Sequence, residues 1–178
     1  RRAIRAGVKS IEHGQLIDEP TMKLIAEKGV WLSMQPFIGE GNNHYTNPVQ
    51  QAKHELVVQG TDRAYQLAKK YGEKLAWGTD LLFSPANARN QNLNIEKMTR
   101  WFSNFEILKM ITHDNAELLA LSGRRNPYPG KLGVIEEGAL ADLIVVDGNA
   151  LEDIKVLTDP GKNMLLIMKD GKIYKNDL

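Results

Sequence analysis

Cysteine is missing from all 178 residues, which removes disulfides and thiolate metal ligands together and leaves only histidine nitrogen or carboxylate oxygen to hold a metal. A dominant charge sign is also lacking. With 23 Lys and Arg against 22 Asp and Glu the net charge is +1, so no long-range field steers the chain to nucleic acid or an anionic membrane. No apolar run reaches the roughly 20 residues that span a bilayer, and no charged, apolar, small-residue leader pattern opens the chain. Aromatic residues are scarce at 7%, and Trp31, Trp77 and Trp101 lie within apolar runs, which suits packing better than a stacking platform. What is present, 42% hydrophobic and 25% charged residues, reads as a soluble globular chain with enough apolar material for a core.

The first seven residues, Arg1 to Gly7, lack an initiator Met and read as the last turns of a helix closed by glycine, the expectation being a piece of a longer protein. From Val8 onward the pattern alternates strand, polar loop and helix, the cadence of parallel β/α architecture. Val8 to Glu12 reads as a strand, Asp18 as the cap of a helix ending at Gly29, and Val30 to Phe37 as a second strand. The loop from Gly39 to Pro48 leads to a helical stretch from Val49 to Tyr71, expected to be interrupted near Gly60 and Thr61 and closed by Gly72. Leu75 to Gly78 follows as a third strand, then a loop from Ser84 to Asn94 and a helix around Ile95 to Ile111. A last helix runs from Asp114 to Leu121, with Asp114 and Glu117 spaced as a capping box. Beyond Gly123 the composition turns Pro- and Gly-rich and then β-like, with Asp170-Gly171 as the signal of a tight hairpin. The expected division is 1–123 and 124–178.

Two short strings, Ile11-Glu12-His13-Gly14 and Trp77-Gly78-Thr79-Asp80, each end an apolar run with a potential metal ligand. In parallel β/α proteins functional groups collect at the carboxyl ends of strands, and both residues fall there. Alternation puts Asp80, Gly78 and Ala76 on one face of the third strand, with Trp77 and Leu75 on the other. Neutral imidazole and carboxylate are ligands that zinc, manganese or iron accept, and an open coordination position lets such a metal acidify a water. Each residue also has an ordinary structural reading, His13 as a hydrogen-bonded strand-end residue and Asp80 as a turn or cap carboxylate.

Read in order, these strings together with Thr112-His113-Asp114-Asn115-Ala116-Glu117-Leu118-Leu119, the segment from Gly133 to Asp147 and Lys169-Asp170-Gly171-Lys172 resemble the amidohydrolase superfamily. The nearest branch is that of imidazolonepropionase-like hydrolases and Xaa-Pro dipeptidases. The resemblance implies a fold class of α/β type: the C-terminal part of a (β/α)8 barrel, strands six to eight, followed by strands of a small composite sandwich. It further implies that His13 is a metal ligand and that Asp80 is both a ligand and the base that takes a water's proton. One or two divalent ions are implied, zinc first. The family's other ligands, on earlier strands, have no counterpart in this chain, so the missing N-terminal half of its own fold is an expected partner and the isolated chain is expected to be inactive. Exposed strand edges make a homo-oligomer a further expectation.

The remaining candidates are weaker. His44 and Tyr45 follow a strand and could contact substrate at the rim, and Arg89, in the loop after Asp80, could meet a substrate carboxylate. All three have solvated loop positions as the plainer reading. His54 reads as a surface residue and His113 as a local hydrogen-bonding group. The function expected of the intact protein is metal-dependent hydrolysis of an amide or other C–N bond in a small molecule or short peptide. The alternative is a non-catalytic barrel fragment acting through packing or assembly.

Overall fold

The rule that starts and stops the two main helices is visible in their flanking residues. The computed structural model describes residues 1–39, 45–81 and 85–178, so His44 and parts of the two loops around it and Ser84 lie outside the described residues. After a short helix α1, Arg2–Arg5, and strand β1, Ser10–Glu12, helix α2 spans Glu19–Lys28. Asp18 accepts the Thr21 amide at 3.1 Å, Pro20 occupies the first turn and Gly29 closes the helix at φ 58. Strand β2, Trp31–Met34, precedes α3, Pro48–Tyr71, which repeats the rule: Asn47 accepts from Val49 at 2.9 Å, Pro48 leads and Gly72 closes at φ 63. Strand β3, Leu75–Trp77, completes the sheet.

These elements belong to the first of two compact units, Arg1–Gly78. The strands pair in parallel in the order β1-β2-β3, with Ile11 opposite Leu32 and Ser33 opposite Ala76. The central strand is apolar at Trp31, Leu32 and Met34, all buried, as expected of a parallel strand covered on both faces. Met22, Ile25, Ala64, Tyr65 and Ala68 from α2 and α3 are buried with it. Where α2 meets α3, Glu19 accepts from Lys70 at 2.6 Å and from the Tyr71 hydroxyl at 2.7 Å.

The expected interruption of the long helix at Gly60 is absent: α3 is continuous. Gly60 is there because the helix passes so close to the Gln15-Leu16 loop that an added Cβ would lie 2.2 Å from the Gln15 carbonyl oxygen. The glycine serves packing between elements and breaks nothing.

The second unit, Thr79–Leu178, is helical first and β later. Helices α4, Pro85–Ala88, and α5, Leu93–Lys97, lead into a 3-10 turn, Met98–Arg100, and α6, Asn104–Lys109. The helix expected over Ile95 to Ile111 is therefore broken. Phe102 turns inward at the break and Ser103 starts α6 with a capping box to Glu106. The box expected at Asp114 and Glu117 does not form, because a π-turn, Met110–Asp114, carries the backbone unbroken into α7, Asn115–Ala120. Amides that a cap would satisfy already have helical partners.

Strand β4, Leu143–Val146, then pairs antiparallel with β5, Met164–Lys169, which follows the short helix α8, Pro160–Asn163; β6, Lys172–Asn176, pairs on β5's other edge. Asp170 and Gly171 both take positive φ, 49 and 73, as a two-residue primed turn requires. Asp142 accepts the Asp170 amide at 2.6 Å and braces that turn. Among the described residues no helix is long and apolar enough to cross a membrane.

Candidate metal centre

At the carboxyl end of β1 the ladder runs one residue past the strand: the His13 amide donates to the Ser33 carbonyl at 2.8 Å. The chain then turns sharply, with φ 70 at His13 and 86 at Gly14. Gly14 has no room for a side chain, since a Cβ would lie 2.6 Å from Leu32 Cδ1. The His13 imidazole is thereby turned out of the ladder, and its Nδ1 lies 2.8 Å from Gln35 Oε1. The same oxygen accepts from Gln15 Nε2 at 3.2 Å. Gln15 and Gln35 are both buried, at 5% exposure, whereas His13 is exposed. A cleft of about 540 Å³ opens beside this end of the sheet, lined by His13, Gly14, Leu16, Ile17 and Val57 among others.

Asp80 follows β3 by three residues and also has a left-handed backbone, φ 54. Among the described residues only His13, Asp80 and Asp170 take positive φ without being glycine. A left-handed L-residue costs about 1–2 kcal/mol, and such conformations cluster at functional sites. Asp170 is accounted for by its hairpin. His13 and Asp80 stand at strand ends where no two-residue hairpin demands the torsion. His13 belongs to the first unit and Asp80 to the second.

The donors suit a divalent metal. Imidazole nitrogen and carboxylate oxygen are zinc ligand types, and an imidazole anchored through its other ring nitrogen to a carbonyl oxygen is the usual arrangement of a ligating histidine. In His13 that anchor is Gln35 Oε1.

The other candidates fall elsewhere. Tyr45 is exposed, its amide donates to Gln51 Oε1 at 3.3 Å, and its ring meets His54 at a centroid distance of 5.5 Å. His54, expected on the surface, is half-buried by that contact and shares a cleft of about 380 Å³ with Phe37, Tyr45, Lys53 and Val57. Arg89 is exposed in the turn after α4. His113, Asp114 and Glu117 bring three potential ligand atoms within 4.8 Å of one another. They already form local ion pairs, with Lys109 on Asp114 and His113 Nδ1 3.0 Å from the same carboxylate. Gln15 and Gln35 are the residues the sequence reading missed. The available signal was a glutamine directly after each of two strand-end segments.

A parallel β/α unit with a braced histidine at a strand end defines the class, and comparison with known proteins defines the family. The sequence pattern of the amidohydrolase family matches residues 1–174, and the chain belongs to that family. It is 33% identical over 177 residues to the ochratoxinase of Aspergillus niger, covering 97% of this chain and 35% of that protein. Among solved structures it is similar to a prolidase complexed with N-methylphosphonate-L-proline, with TM-score 0.82, 32% identity and coverage of 98% of this chain and 42% of the other. A Xaa-Pro dipeptidase with methionine bound in its active site gives TM-score 0.79 and 31% identity, again over 98% and 42%. The chain thus spans about a third of the length of the curated relatives it matches.

Proposed function

We propose that the protein containing this chain is a metal-dependent hydrolase that cleaves an amide or related C–N bond in a small molecule or short peptide, with His13 and Asp80 among its metal ligands. The observation that carries the reading is the pairing of left-handed backbone at both residues with the Gln35 brace on the His13 ring. Family membership supports hydrolysis, and relatives described as prolidase, Xaa-Pro dipeptidase and ochratoxinase make an amide bond the first substrate class to try. In this reading residues 1–123 supply strands six to eight of a (β/α)8 barrel and 124–178 a sandwich segment, with the rest of the barrel completing the ligand set.

A divalent metal, zinc first and one or two ions in number, supplies Lewis acidity when bound, lowering the pKa of a water and polarising the amide carbonyl. His13 contributes an imidazole nitrogen held at a fixed angle. Asp80 contributes a carboxylate oxygen, accepts the attacking water's proton and passes it to the leaving nitrogen. Tyr45 and Arg89 are rim positions from which an aromatic ring and a guanidinium reach substrate.

The test is metal analysis and hydrolysis of a panel of Xaa-Pro dipeptides and aromatic amides by the full-length protein. His13→Ala is expected to lower bound metal, and Asp80→Asn to reduce kcat by about 10²–10⁴-fold with folding preserved. Hydrolysis that survives both substitutions overturns the proposal.

A further inference from the structure

The reading above uses only the contact of Gln35 with the His13 ring, and the geometry of the two buried glutamines is more specific than that. Gln35 sits just beyond β2 and Gln15 two residues beyond His13, both almost wholly buried, so each amide must find partners inside the protein. Gln35 Oε1 is the meeting point: Gln15 Nε2 donates to it at 3.2 Å and His13 Nδ1 lies 2.8 Å away. The Gln35 amide nitrogen points the other way, 3.8 Å from where a Cβ on Gly78 would stand. An amide NH2 only donates, so the atom it reaches on Gln35 is the carbonyl oxygen. An oxygen that accepts from Gln15 can meet an imidazole nitrogen only if that nitrogen also donates.

We infer that Gln35, oriented by Gln15, is a positioning residue that selects the His13 tautomer with hydrogen on Nδ1, so that Nε2 presents the lone pair a metal takes. The inference rests on the reading of His13 as a metal ligand. Histidine carries its proton on either ring nitrogen with little intrinsic preference, and the partner of one nitrogen decides the role of the other. Gln35 Oε1, already accepting from Gln15, calls for hydrogen on Nδ1. Gln15 keeps Gln35 from rotating its NH2 toward the ring, which would select the opposite tautomer. Gln35 thus sits where the ends of the three parallel strands come together, beside His13 after β1 and Gly78 after β3.

The decisive measurement is the nitrogen-15 NMR spectrum of the His13 ring in metal-free full-length protein at a pH where imidazole is neutral. A protonated Nδ1 and an unprotonated Nε2 are expected; the reverse assignment overturns the inference. Gln35→Glu keeps an acceptor for both donors and is expected to preserve tautomer and metal affinity. Gln35→Met removes the acceptor and is expected to weaken metal affinity about 10–100-fold, the range for partners of metal-ligating histidines. Gln15→Met should leave the backbone fold intact and give a mixture of tautomers. If Gln35→Met fails to fold, the wild-type spectrum still decides the matter, because it reads the ring proton directly. Unchanged metal content in His13→Ala sinks the ligand reading, while the metal-free spectrum independently decides the tautomer.

Discussion

The two sheets of this protein use the same residue types toward different ends. In the parallel sheet the central strand is buried on both faces, and the torsional strain lies at a strand end, on His13. In the antiparallel sheet Ile144, Val145, Ile173 and Tyr174 remain 41% to 63% exposed, and the positive φ lies in a hairpin turn, on Asp170. A buried sheet can hold a strained residue because the packing around it over-determines the backbone. An open sheet holds one only where the turn itself asks for it. The same torsion is thus explained by a hairpin at Asp170, whereas at His13 no hairpin accounts for it.

The largest test of that contrast is truncation at matched positions. Leu32→Ala empties a fully buried site in the parallel sheet and is expected to cost about 2–5 kcal/mol, while Ile144→Ala, at 54% exposure, should stay within about 0.5 kcal/mol. Urea unfolding of both variants measures the difference, and equal losses would break the comparison. Next in size is Gly60→Ala. The added methyl meets the Gln15 carbonyl, which is backbone and cannot swing aside, so a loss of about 1–3 kcal/mol is expected from overpacking despite alanine's better helix propensity. A stabilised Gly60→Ala protein would mean that α3 does not press on the His13-bearing loop.

These positions also show what could be read in advance. The β/α alternation and the ends of both main helices were legible, because Asp18, Gly29 and Gly72 act on their own neighbours in sequence, whereas the Asn47 cap of α3 was not singled out. The hairpin at Asp170-Gly171 was legible for the same reason. Gly60 was misread because its meaning lies in a loop more than forty residues earlier, which no local rule can see. The capping box at Asp114 was misread because a cap presupposes a helix start, and the π-turn before it had already supplied the helical amides. His13 and Asp80 stood out as strand-end residues with ligand chemistry and gained weight from family order. Gln35 and Gln15 did not, since an amide carries no charge to flag it and its importance comes only from the ring it meets.

A smaller effect concerns acid. The Thr21 hydroxyl, together with the Arg1 guanidinium 2.5 Å from the carboxylate, holds the Asp18 carboxyl down at about 2, below its ordinary 3.8. A depressed folded-state pKa contributes stability that is complete above the ordinary value and is lost as pH falls through 3.8 toward about 2. Asp18 is exposed and screened by solvent, so the expected change is a modest fall in the urea midpoint over that window, absent in Asp18→Asn. A midpoint that falls equally in both proteins would assign the acid sensitivity elsewhere.

The smallest stability effect separates strain that a turn requires from strain attributed to a site. Asp170→Gly removes the left-handed penalty of about 1 kcal/mol but loosens the unfolded chain by about 0.4–1 kcal/mol, so its net change should stay within about 0.5 kcal/mol. Asp80→Gly has the same two contributions at φ 54, and on backbone grounds it should be just as mild. The two are expected to part company in metal content and hydrolysis, which Asp80→Gly should lose and Asp170→Gly should keep. Matched stability with unmatched metal binding would tie the torsion at Asp80 to the carboxylate's use. If Asp80→Gly retains metal and activity, the strained strand end is a backbone feature like the hairpin, and the contrast between the two regions disappears.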